Sequence, residues 1–285
     1  MVETRSGPVL SVAVTEVRLL SDSNHQQFVL HGEGATLTCH YVVETDEVVR
    51  GVTWERDGEP VFVWSHGGSP VARGVLAGRV DAARSTPTTV VIPRAHVDMH
   101  GTYTCRVCTD RRSEQNELYV TVIMDSCHEK SWSTHSDRVA CTESIRLSCT
   151  GMFPRPAPAC GLYDELAGSY LTVVPFEKMT SLPNGTFDVA LSARYRAADW
   201  LNYTDLSFRC YVLVMGTSWR NGIRHRLFGD PGCPFPDALP GAIHNVSSER
   251  SCWGRPREGA KLVYQCEGAL QLSGPSNYFC RSGRW

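Results

Sequence analysis

The chain has 285 residues, of which 42% are hydrophobic and 20% charged, with a formal net charge of −2. That composition excludes a disordered chain and a generic nucleic-acid binder, Gly and Pro stand at 24 and 16, too few for a collagen-like sequence, and no apolar run reaches the roughly 20 residues that cross a bilayer. Twelve cysteines point to disulfides and an oxidising compartment. The triplets at Asn184, Asn202 and Asn245 read as glycosylation sequons. Met1 to Arg5 is not followed by the apolar core of a signal peptide, so the start is expected to be incomplete. The expected location is extracellular, either secreted or held at the cell surface by a segment outside this chain.

Residues 12–124 consist of short β-rich runs broken by Gly, Asp and Pro, with no 3.6-residue apolar period. Cys39, Trp54, Tyr103 and Cys105 stand in Ala-Thr-Leu-Thr-Cys, Val-Thr-Trp and Gly-Thr-Tyr-Thr-Cys, with Val90, Ile92 and Ala95 ahead of the second cysteine. This arrangement resembles an immunoglobulin domain. The resemblance implies a Cys39–Cys105 bond between two sheets, Trp54 packed on it and Tyr103 as the tyrosine corner. Met99 replaces the usual aspartate before the second cysteine, with Asp98 displaced by one, which predicts a weakened turn contact.

Residues 125–230 repeat the theme, with Cys149 in Ile-Arg-Leu-Ser-Cys and Cys210 in Phe-Arg-Cys-Tyr-Val. A divergent immunoglobulin-like domain with a Cys149–Cys210 bond is expected, although Cys160 and Tyr163 occupy the region where a tryptophan would stand. Residues 231–285, with Cys233-Pro-Phe-Pro, Tyr264-Gln-Cys266, Cys280 and Trp285, resemble a sushi (complement control) module. The resemblance implies a Cys233–Cys280 bond and a module that is expected to be cut short at Trp285. The predicted fold is therefore all-β: two tandem immunoglobulin-like sandwiches and a small disulfide-rich unit. For the remaining cysteines, Cys108 with Cys127, Cys141 with Cys160 and Cys252 with Cys266 are the suggested pairs, although sequence alone does not fix connectivity.

The run Gly51-Val-Thr-Trp54-Glu-Arg-Asp-Gly58-Glu-Pro-Val-Phe62-Val-Trp64, with Gly78-Arg-Val-Asp81 beyond it, is similar to the first domain of the Beaten path family of arthropod neuronal surface and secreted proteins. The resemblance implies heterophilic recognition of a Sidestep-like immunoglobulin-superfamily protein in axon guidance or cell adhesion. From another class, a soluble humoral immune or complement-like factor fits the sushi module.

Catalytic motifs are missing, metal-ligand spacings are incomplete and no cofactor is called for. Cys105-Arg-Val-Cys108 is a CxxC, but positions three apart on a strand face opposite ways, so a structural Cys105 and an outward Cys108 are preferred to a redox pair. A two-residue turn at Asp57-Gly58 sets Trp54 opposite Val61 and Val52 opposite Val63. With Trp54 inward, that register turns Phe62 and Trp64 outward beside Thr53, Arg106 and Tyr119. These five form the candidate partner site; a different turn length would reverse the parity, and glycans or the second domain are alternative covers. From Arg220 to Trp285 nine Lys/Arg face five acids, a bias that could draw heparan sulfate by long-range attraction or be only a solvated surface.

Overall fold

The computed structural model describes residues 12–25, 27–203, 205–228, 232–236, 242–247, 250–266, 268, 275–281 and 284–285. Among the described residues the regular structure is β throughout, apart from four short 3₁₀ turns. Among the described residues no helix is long and apolar enough to cross a membrane.

The first sandwich comprises β1 (Val12–Ser21), β2 (Phe28–Leu30), β3 (Ala35–Val43), β4 (Val49–Arg56), β5 (Glu59–Ser65), β6 (Val71–Ala72), β7 (Thr89–Ile92), β8 (Gly101–Thr109) and β9 (Ser113–Ile123). One sheet has the order β1-β3-β7, and the facing sheet has the order β2-β9-β8-β4-β5-β6. β2 joins β9 in parallel, which closes the edge of the larger sheet. Alternation along β8 buries Tyr103, Cys105 and Val107, because side chains two apart share a face. Cys39 on β3 is bonded to Cys105 on β8, tying the two sheets together. Trp54 is fully buried against this core, and its ring N–H donates to the Pro87 carbonyl at 3.2 Å, so its one polar atom is satisfied. At the turn expected to lose a contact, Met99 fills the core and Arg79 grips both oxygens of the displaced Asp98 at 2.7 and 2.8 Å.

The second sandwich comprises β10 (Trp132–Asp137), β11 (Thr142–Met152), β12 (Ala157–Asp164), β13 (Ser169–Tyr170), β14 (Lys178–Ser181), β15 (Phe187–Arg196), β16 (Leu206–Leu213) and β17 (Arg220–Arg226). Its sheets have the orders β10-β11-β15-β14 and β13-β12-β16-β17. Leu162 and Phe208 from one sheet meet Ile145, Leu147, Val189 and Leu191 from the other in one core.

The cysteine pattern of this sandwich departs from the expected Cys149–Cys210 bond. Cys210 is bonded to Cys160, which stands directly opposite it on the neighbouring strand. Cys149 is bonded to Cys127. Cys127 rides on the other sheet, because Asn221 of β17 donates to its carbonyl at 2.6 Å and to the Asp125 carboxylate at 2.9 Å. The Cys127–Cys149 bond thus makes the crossing between sheets that Cys149–Cys210 was expected to make.

Phe28 and Ile123, at the end of the first sandwich, pack into the core of the second. Met124 and Phe153 exchange two backbone hydrogen bonds, 2.8 and 3.1 Å, so the elbow between the sandwiches is short and apolar. The C-terminal unit contains β18 (Ala242–Ser247), β19 (Lys261–Cys266) and β20 (Asn277–Phe279) in one sheet, with Cys233 bonded to Cys280. It is fastened to the second sandwich by a Cys141–Cys252 bond and by Trp253, which meets Phe228 edge-on at 5.4 Å. These bonds replace the suggested Cys141–Cys160, Cys108–Cys127 and Cys252–Cys266 pairs, and Cys108 and Cys266 form no disulfide.

Candidate functional site

The outward face of the larger sheet in the first sandwich is set by the β4–β5 hairpin, and the hairpin differs from its predicted register. Arg56 pairs with Glu59 and Glu55 with Pro60; a β-bulge then intervenes, and Trp54 pairs with Phe62, Thr53 with Val63 and Val52 with Trp64. The extra residue is Val61. A bulge lets two successive residues lean to one side, and Val61 and Phe62 are both 2% exposed in the core. Pro60 has no N–H for the ladder, and proline inside sheets is confined to edges and bulges. Phe62 is therefore a core residue rather than an anchor on the surface. Trp64, opposite the buried Val52, packs partly against the same core and donates its ring N–H to the Gly68 carbonyl at 2.9 Å. Neither aromatic belongs to the outward face.

Of the five candidates, Thr53, Arg106 and Tyr119 do point outward, and Val63 takes the place expected for Phe62. Val71, Val63, Thr53, Arg106 and Gln115 form one row across four strand pairings. The Arg106 Nε donates to Glu55 at 3.2 Å, and the pair is only partly exposed. That contact holds a long side chain in one position, lowering the entropy lost on binding. Next to this row, Cys108 faces outward with its sulfur 3.4 Å from the Ser113 hydroxyl, on the opposite side of β8 from the bonded Cys105. The Asp110-Arg111-Arg112 turn beyond is pinned to the preceding loop: Asp110 accepts from the Val48 N–H at 3.1 Å, and Arg111 donates to Asp46 at 2.5 Å.

Tyr119 lies four positions along β9 from Gln115, about 13 Å away at strand rise, at the elbow corner. Its hydroxyl is 2.9 Å from His100 Nε2, and Val122 donates its N–H to His100 Nδ1 at 3.3 Å. With Nδ1 accepting, the neutral ring carries its proton on Nε2 and donates it to Tyr119. The same ring meets Phe153 of the second sandwich edge-on at 5.0 Å, and Arg56 donates to the His100 carbonyl at 2.7 Å. Burial, and next the Arg56 charge, hold the His100 pKa below its ordinary value of 6.5, against a smaller opposing pull from Asp57. Sequence reading passed over this histidine, because its environment depends on contacts from both sandwiches.

A depressed histidine pKa means that the unfolded chain takes up the proton first. The stabilising contribution of neutral His100 is complete above pH 6.5 and declines as pH falls through that value toward the folded pKa. Melting temperature measured from pH 7.5 to 5 is expected to fall more steeply in the native chain than in His100→Asn, whose amide oxygen keeps an acceptor for Val122. Superimposable profiles for the two would remove this role.

The sequons are spread over the second sandwich and the last unit. Asn184 is exposed in a turn and accepts from the Thr186 N–H at 3.1 Å, Asn202 is exposed after the Ala197–Trp200 turn, and Asn245 is exposed on β18.

Bovine butyrophilin is 16% identical with a TM-score of 0.48, covering 76% of this chain and 97% of its own. The extracellular portion of mouse CD200RLa is 15% identical with a TM-score of 0.43, covering 70% and 97%. The amphioxus IgVJ-C2 molecule is 14% identical with a TM-score of 0.38, covering 70% and 98%. These likenesses extend to neither partner nor role. A 51-residue stretch is 39% identical to serine–tRNA ligase of Prochlorococcus marinus (strain MIT 9303), spanning 18% of this chain and 12% of that enzyme. Residues 25–115, which include the bonded cysteines, the buried tryptophan and most of the outward face, match the immunoglobulin domain family.

Proposed function

We propose that the chain is an extracellular recognition protein that binds another immunoglobulin-superfamily surface protein, Sidestep-like in kind, through the outward face of β4, β5, β8 and β9, in cell adhesion or axon guidance. The observation that carries this reading is the row through Val63, Thr53 and Arg106, in which Glu55 holds an arginine at the middle of a sheet braced by Cys39–Cys105. Arginine held in place and partly desolvated is a favoured binding hot spot, and a rigid sheet loses little entropy on docking. The match of residues 25–115 to the immunoglobulin domain supports placing the contact in this sandwich.

The test is titration of the soluble chain onto cells that each display one immunoglobulin-superfamily surface protein. Arg106→Glu is expected to weaken the best binder by ten-fold or more, about 1–3 kcal/mol, with an unchanged melting temperature. Undiminished binding by a folded Arg106→Glu protein would remove the face from consideration.

A further inference from the structure

The second sandwich carries an exposed face of different chemistry on β12, β16 and β17. Tyr163 on β12, Arg209 and Tyr211 on β16, and Arg220, Arg224 and Arg226 on β17 occupy alternate positions on the solvent side of the sheet, opposite to the buried Leu162, Phe208, Cys210 and Val212. Arg209 lies over the Tyr163 ring at 3.5 Å and Arg220 over Tyr211 at 5.4 Å. Glu165 accepts from Ser207, Arg209 and Arg224; burial would raise its pKa, but these bonds outweigh it and hold the carboxyl below the ordinary value. Asp205 takes Arg226 at 3.2 Å. Four guanidinium groups thus share two carboxylates among the described residues of this face, and the surplus is positive.

Arg220, Arg224 and Arg226 are all exposed. Their shared parity on a strand puts Arg224 and Arg226 about 7 Å apart and Arg220 about 13 Å from Arg224. This is a row of forked donors along one line. Tyr163 lies under Arg209 and Tyr211 under Arg220, an attraction that holds these two cations over the sheet. The Cys141–Cys252 bond and the Phe228–Trp253 contact fasten the C-terminal unit, with its own arginines at 250, 255 and 257, just beyond the end of this strand. A linear anion with repeated charges matches a linear row of arginines, because each guanidinium can grip an oxyanion with two parallel donors. An acidic protein surface could supply charge, but the outward positions of β17 are Arg220, Gly222, Arg224 and Arg226, with no apolar side chain at their centre such as an interface core requires.

We propose that the outward face of β12, β16 and β17 is a docking surface for a sulfated polysaccharide, with the arginine row of β17 as its contact line. It is independent of the protein contact assigned to the first sandwich.

The experiment applies the folded chain to heparin–agarose, to sulfopropyl resin and to poly-L-glutamate resin. The native chain is expected to leave heparin–agarose only above about 0.15 M NaCl, the physiological ionic strength, and to leave sulfopropyl resin earlier. Arg220→Glu/Arg224→Glu/Arg226→Glu is expected to pass through heparin–agarose at that salt. Arg146→Glu/Arg194→Glu/Arg196→Glu makes the same change in net charge on the exposed side of the other sheet, and is expected to elute with the native chain. If the glutamate triple fails to fold, Arg220→Gln/Arg224→Gln is expected to shift elution in the same direction. Equal retention on heparin and sulfopropyl resin, equal shifts for the two triples, or retention on poly-L-glutamate without retention on heparin would each overturn the proposal, the last in favour of an acidic protein.

Discussion

Phe62→Ala is expected to cost about 3–5 kcal/mol of stability through lost burial and a residual cavity. The side chain is 2% exposed and sits in the first core beside Trp54 and Val61. A loss of that size is a large fraction of the roughly 5–15 kcal/mol that holds a domain together, so secretion yield and melting temperature should both collapse. Val63→Thr, one position along on the outward side of the bulge, should change melting little. The contrast follows from the hairpin register alone. A Phe62→Ala protein that melted like the native chain and lost only binding would show that the bulge at Val61 is misplaced.

Peptide mapping without reduction is expected to join Cys127 to Cys149, Cys160 to Cys210 and Cys141 to Cys252. The last bond closes 111 residues of sequence, and on the chain-entropy account a loop of that order contributes about 4–5 kcal/mol against the unfolded state. Cys141→Ser/Cys252→Ser should therefore leave the C-terminal unit held by non-covalent contacts such as Trp253 on Phe228. Limited trypsin digestion should release that unit from the variant, whereas native protein cut at the same sites stays joined until reduced. A peptide linking Cys149 to Cys210 would contradict both the pairing and the role of Asn221 in seating Cys127 against β17.

The all-β fold was legible because cysteine, tryptophan and alternating apolar residues act through local strand geometry: β8 buries Tyr103, Cys105 and Val107 and turns Arg106 and Cys108 outward, as a period of two dictates. The hairpin parity was misread because a bulge adds one residue, and one residue reverses every side chain after it. Pro60 was the available signal, since a missing N–H weakens the ladder at that position. The second disulfide was misread for a different reason. Cys127 lies in a segment outside the named strands, and contacts distant in sequence, the Met124–Phe153 backbone pair and the side chain of Asn221, bring it to Cys149. His100 and the Arg220–Arg226 row depend likewise on tertiary neighbours, so sequence gave their residue types but not their company.

Recognition through the outward face of β4, β5, β8 and β9 is tested most directly by hydrogen–deuterium exchange of the chain alone and bound to the immunoglobulin-superfamily protein it captures. Slowed exchange is expected in peptides covering residues 51–55, 61–65, 104–108 and 113–117, while the β1-β3-β7 sheet exchanges as in the unbound chain. Protection confined to β1, β3 and β7, or to the second sandwich, with β4 and β8 unaffected would contradict it.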